Sequence, residues 1–175
     1  MATDSNRIYV VDTLRSVITI ATKSAVHGIH GTGSGITGEM SASFKDGSLD
    51  RDSSVHMKIA IPVGKLSSGN LAQDEKMHAL VSSRTYPNVE ASLTNAVPSD
   101  TAQRYRVSGT VTINGMERLF SGDMTIAERD GRVEIAGERD FDIRMWRIEP
   151  PKFLGFSIDP SVHVELKLFA DLKVV

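Results

Sequence analysis

The chain holds five histidines and no cysteine. Any nucleophile, acid–base pair or metal site must therefore be built from imidazole, carboxylate, hydroxyl or guanidinium groups. His27 and His30 stand at an i, i+3 spacing in a glycine-rich stretch. Two imidazoles so placed could hold zinc or copper, but the stretch offers no third ligand of comparable quality, and no metal is expected. The favoured reading is a solvated loop able to fold over an opening. Gly31-Thr-Gly-Ser-Gly35 looks superficially like a phosphate loop but lacks the lysine and the strand-to-helix setting. Serines are plentiful, yet no Gly-x-Ser-x-Gly elbow is present, and no catalytic residue is assigned.

His56 and His163 alternate with apolar neighbours and should face outward. That leaves His78, beside Met77, as the one histidine suited to a pocket, although packing at a helix edge is the favoured role. Arg139 is more informative. In the run Val133, Ile135, Gly137, Arg139, Phe141, Ile143 it shares the apolar side. A charge there must be paired or reach water. It can pair with Asp12 and close the bottom of the fold, or receive the polar head of a ligand. The ion pair is favoured.

These groups are set by elements with a two-residue period. Val55, Met57, Ile59 and Ile61 alternate with His56, Lys58 and Ala60. Tyr105, Val107, Gly109, Val111 and Ile113 do the same, as do Phe120, Gly122, Met124 and Ile126, and Val162, Val164, Leu166 and Leu168. Only a β-strand puts every second side chain on one side, and strands with one apolar face argue for an antiparallel sheet buried on that face. Strands are expected at 8–12, 16–22, 36–44, from about 54, and at 89–94, 104–113, 118–127, 132–144 and 162–172. Residues 23–34 read as a loop. Asn114-Gly115 and Asp130-Gly131 mark two-residue hairpins, and Asp46-Gly47 a turn. One segment breaks the period. Asn70 can cap a helix with Gln73 three positions on, Met77, Leu80 and Val81 form a stripe, and Tyr86-Pro87 ends it. A helix is expected over 71–82. About eight or nine strands with one helix suit a closed barrel or a sandwich, and closure removes the edges.

With 175 residues, 40% apolar residues and a net charge of −2, the chain is one domain with ample core and no sign of disorder. Nucleic acid is not an expected partner, because gripping it needs a basic field. No apolar run is long enough for a membrane-spanning helix. The start, Met1 to Arg7, has no apolar stretch of a signal peptide, so a cytoplasmic location is expected, although a chain trimmed of a leader would look the same. A homodimer is left open.

Gly38, Ala42, Ala91, Gly109, Gly122 and Gly137 lie on the apolar sides of their strands. Small residues there either leave interior space or let the strands coil. Both readings stand on periodicity alone.

Five motifs in order resemble the YceI-like family. They are Tyr9-Val-Val-Asp12 with Ser16; Ser68-Gly69-Asn70 with Gln73-Asp74 and His78; Tyr86-Pro87; Val107-Ser-Gly-Thr-Val-Thr-Ile-Asn-Gly115; and Gly137-Glu-Arg-Asp-Phe141 with Ile143. The match runs over about residues 8–172. Arg15, Gln73 and Asp142 depart from the family's histidine, arginine and glycine. The resemblance implies an antiparallel, lipocalin-like barrel whose tunnel holds a long amphiphile, often a polyisoprenoid or an isoprenoid quinone. The tunnel lining it implies is Ile36, Gly38, Met40, Ala42, Met57, Ile59, Met77, Leu80, Val81, Tyr105, Val107, Gly109, Val111, Phe120, Gly122, Met124, Gly137, Arg139, Phe141, Phe153 and Phe156. The helix and the proline-rich connection 147–160, with Phe153, Leu154 and Phe156, are expected at the mouth. No cofactor is expected beyond such a bound lipid. The leading function is a lipid-binding protein for carriage, storage or protection. The alternative is a barrel enzyme of cyclase or isomerase type using Asp12, His78 or Arg139.

Overall fold

The computed structural model describes residues 5–24, 28–81, 83–153 and 155–174, with the side chain of Phe153 outside that description. The strands are β1 (Arg7–Val11), β2 (Val17–Lys23), β3 (Gly28–Gly33), β4 (Thr37–Ala42), β5 (Phe44–Lys45), β6 (Ser48–Leu49), β7 (His56–Pro62), β8 (Asn88–Pro98), β9 (Arg104–Ile113), β10 (Met116–Arg129), β11 (Arg132–Asp142), β12 (Lys152–Phe153), β13 (Phe156–Ser157) and β14 (Ser161–Leu172). One α-helix, α1, spans Leu71–Leu80. Every pairing is antiparallel.

The order β1-β4-β7-β8-β9-β10-β11-β14 returns to β1, because Tyr9 pairs with Leu172 and Val11 with Ala170. An eight-stranded closed barrel results, which decides between the barrel and the sandwich that the alternation left open and agrees with the barrel that the resemblance implies. The upper end of that wall continues through β2 and β3. β14 pairs first with β2, at His163 to Lys167, and then with β1, at Ala170 to Leu172. The turn at Asp12 to Ser16 joins the two stretches. It is fixed by Asp12, whose Oδ1 accepts from the Leu14 and Arg15 amides, and by the buried Ser16 hydroxyl, which bonds the Phe169 backbone. This is a structural use for two of the opening motif's polar residues.

Residues 23–34 are not a loop throughout: β3 pairs with β2 from Gly28 to Gly33. Its glycines signal breakage in sequence, but here they admit neighbours. A Cβ at Gly33 would overlap the Leu66 side chain, and one at Gly31 would crowd the Ser67 carbonyl. Thr32 and Ser67 exchange two backbone hydrogen bonds of 2.9 and 2.8 Å across this approach. Two further short pairs form: β12–β13 within the proline-rich connection, and β5–β6, which closes around the expected Asp46-Gly47 turn and brings in Ser48 and Leu49 ahead of the strand expected from about 54. The hairpin turns hold as predicted, with positive φ at Asn114, Gly115, Asp130 and Gly131, the geometry of a two-residue turn. The Asn70 side chain accepts from the Gln73 amide and starts α1.

Four strands change character along their length. Tyr105 and Val107 of β9, Ile126 of β10, Val133 and Ile135 of β11, and Leu168 and Ala170 of β14 are fully buried. Farther along the same inward faces, Val111 and Ile113, Phe120 and Met124, Phe141, and Val162, Val164 and Leu166 are only half-buried. One half of the barrel is packed solid. In the other half the apolar side chains face unfilled space.

Candidate functional site

That space is a cavity of about 340 Å³, of a size usual for small-molecule sites. Its wall is aliphatic and aromatic. Of the residues expected in a tunnel lining, Ile59, Met77, Leu80, Val81, Val111, Phe120, Gly122, Met124, Gly137, Arg139 and Phe141 line it. Others lie elsewhere. Ile36, Met40, Ala42, Met57, Tyr105 and Val107 are inward but belong to the packed core. Tyr105 uses its hydroxyl there to accept from the Leu49 amide at 2.8 Å. Gly38 and Gly109 mark close strand approaches, where a Cβ would strike the Lys58 and Ser92 carbonyl oxygens. Phe156 is 42% exposed and off the cavity wall. The Phe153 side chain and Leu154 lie outside the described residues. Alternation identifies the inward face but not how far along the barrel the packing extends.

The wall also includes residues that sequence reasoning did not single out: Ile18 and Ile20 of β2, Ile29 of β3, Val89 of β8, Trp146 and Ile148. The alternation of Ile18 and Ile20 with Val17 and Thr19 carried that signal; Ile29 was hidden by its glycines. Trp146 is buried and donates Nε1–H to the Val111 carbonyl at 3.1 Å. With Phe120 and Phe141 it forms a chain of tilted ring contacts, centroids 6.4 and 6.0 Å apart.

Helix α1 is pinned at both ends. Asp74 is buried, and its carboxylate accepts from the Ser68 amide (2.8 Å), the Ser68 hydroxyl (2.7 Å) and the Ser67 hydroxyl (2.9 Å). The Ser68 amide and hydroxyl hold its pKa below the ordinary value, against the opposing effect of burial. His78 shares its Nε2 hydrogen with the Leu66 carbonyl at 3.0 Å. It is therefore a strut to residues 66–68 and not a wall residue; His30, on β3, is the histidine beside the cavity. His27, weighed with it as a metal pair and set aside, lies outside the described residues. At the other end the Asn114 side chain donates to the Leu80 carbonyl at 3.1 Å. Met77, Leu80 and Val81 are thus held against the cavity, as are Ile148, Pro151 and Ile158 of the following connection. Lys76 Nζ donates to the Lys152 carbonyl between the two segments.

Among the described residues, Asp12, His78 and Arg139 sit in separate surroundings. Asp12 pairs with Arg15 at 3.7 Å, so the expected Asp12–Arg139 bridge is replaced by a local pair in the β1–β2 turn. Arg139 lies on the cavity wall with its guanidinium 5.3 Å from the Phe141 ring centroid. His163 sits on the outer face among carboxylates, with Nδ1 2.7 Å from Asp140 and Nε2 3.5 Å from both Glu138 and Glu165. The Asp140 hydrogen bond raises its pKa.

A sequence model of the YceI-like domain matches residues 9–170. Sequence comparison with curated proteins finds no match. Among solved structures, BcnA of Burkholderia cenocepacia is similar with a TM-score of 0.75 at 15% identity, covering 91% of this chain and 98% of that one. A polyisoprenoid binding domain from Saccharophagus degradans, described as implicated in plant cell wall breakdown, gives 0.72 at 14% identity, covering 94% and 98%. The YCEI protein of Campylobacter jejuni gives 0.66 at 10% identity, covering 85% and 88%. At these identities the structural likeness speaks for the fold, and the domain match over nearly the whole barrel speaks for the lineage: the chain belongs to the YceI-like family.

Proposed function

We propose that this protein binds a long-chain amphiphilic lipid inside the half-empty end of its barrel and carries, stores or protects it without chemical turnover. The observation that carries this reading is the change from packed to unfilled interior along β9, β10, β11 and β14. Filling such a space with an acyl or prenyl chain gains about 0.8 kcal/mol for each methylene removed from water, so tight binding needs few directional contacts. The Saccharophagus degradans relative, described as a polyisoprenoid binding domain, supports a polyisoprenoid as one ligand class; an isoprenoid quinone or a fatty acid or amide is a further candidate for the same apolar wall. The enzyme alternative has less support. Asp12 serves a turn, His78 a backbone carbonyl, and neither bonds to the other or to Arg139.

Native mass spectrometry of gently purified protein, followed by organic extraction, tests the reading. A co-purifying lipid, or saturable binding across a polyprenyl, quinone and fatty-acid series, is the expected result. Absence of binding at every chain length would overturn it, and a lipid returned chemically altered would favour the enzyme.

A further inference from the structure

The barrel wall has an open seam beside the cavity. β10 and β11 pair from Arg129–Arg132 only as far as Met124–Gly137. Both strands then continue, β10 from Asp123 to Met116 along β9 and β11 from Glu138 to Asp142 along β14, without pairing each other. Below the seam lies the last rung, Met124–Gly137. Beyond it lie Phe120 and Phe141, whose rings touch. Gly122 faces this gap with unused space: a Cβ there would meet only the Arg139 stem, at 3.8 Å. Arg139 thus borders this space from the cavity wall at the seam, and it is exposed.

Its guanidinium forms no ion pair among the described residues. The carboxylates beside it are engaged elsewhere. Asp123 is bound by Arg106 at 3.1 Å and Arg104 at 3.6 Å, and Glu138 lies 3.5 Å from His163. The other charged groups of the wall are also bonded: Asp74 to Ser67 and Ser68, Lys76 to Lys152, and Asp159 to the Ser161 amide. A planar cation with free donors at the rim of an apolar cavity matches an oxyanion that ends an apolar chain.

Resting on the lipid-binding reading above, we propose that the ligand is an anionic single-chain amphiphile. Its tail fills the barrel, and its carboxylate or phosphate head leaves through the β10–β11 seam, held by Arg139. The head is then recognised at the side of the barrel, between strands, and α1 need not open to admit it.

The test measures affinity of the full, delipidated chain for hexadecanoate, hexadecyl phosphate and hexadecanol, with Arg139 intact and as Arg139→Gln and Arg139→Lys. Wild type should prefer an anion to hexadecanol. Arg139→Gln should lose about tenfold or more for the anions, in line with a charge-assisted hydrogen bond, and leave hexadecanol unchanged. Arg139→Lys should restore part of the loss, because it keeps the charge without the fork. The comparison of the two anions says which oxyanion the seam accepts. Equal wild-type affinity for all three, or equal losses for all three in Arg139→Gln, would overturn the head-group assignment and leave lipid binding standing. Failure of all three to bind wild type would overturn the anionic single-chain assignment, and only failure of the polyprenyl and quinone series as well would overturn lipid binding.

Discussion

At the scale of single residues, the polar positions of the family motifs are mostly structural fasteners. Asp74 is the clearest. It welds the first turn of α1 to Ser67 and Ser68, and Ser67 in turn bridges to β3 through Thr32. Replacing it with Ala should remove about 1.5–3 kcal/mol, the usual worth of hydrogen bonds to a charged group. The pH dependence has a definite sign. Its folded-state pKa is depressed below the ordinary 3.8, so its contribution is complete above that value and is lost as pH falls through the folded one. Denaturation of wild type and Asp74→Asn over a pH series should show a constant gap near neutrality that narrows in acid. A gap independent of pH would assign the effect to packing and not to the carboxylate charge. The histidines and Asp12 show why residue type and spacing alone overstate chemistry. His78 has the right chain position for a pocket, yet the Leu66 carbonyl, ahead of the helix, takes its hydrogen.

At the scale of elements, glycines on inward faces serve two different purposes. Gly109 lets β8 and β9 come together, while Gly122 leaves room in the cavity. Gly109→Ala should cost at least about 1–3 kcal/mol by overpacking, because the strands must part around the Ser92 carbonyl. Gly122→Phe should fold with little loss and bind lipid more weakly, because its ring takes the ligand's space. Melting temperature and lipid affinity measured together separate the two. Unchanged lipid affinity in Gly122→Phe would show that the ligand does not use this part of the barrel. The strands themselves were legible because a period of two has one geometric cause. β3 was not, because its stability lies in backbone pairing with β2 and in the approach of Leu66 and Ser67, contacts made by residues distant in the chain.

At the scale of the whole molecule, one end of the barrel is a packed core and the other is a container closed by two segments outside the ladder. α1 contributes Met77, Leu80 and Val81, and the 147–160 connection contributes Ile148, Pro151 and Ile158. Lipid should slow amide exchange in both segments, because a chain in the cavity gives their apolar side chains a partner. Exchange followed with and without ligand checks this; equal protection in both states, with changes confined to the strands, would make α1 a fixed plug. The sequence by itself determined the antiparallel strands, the inward face of each, the hairpin turns, the capped helix and the family, because period, turn chemistry and capping are local properties. Only the tertiary structure decided where the filled core stops, which inward residues border a cavity, and that β10 and β11 part beside Arg139. Those outcomes depend on register and on the volumes of side chains brought together from eight strands, and no local pattern in the chain encodes them.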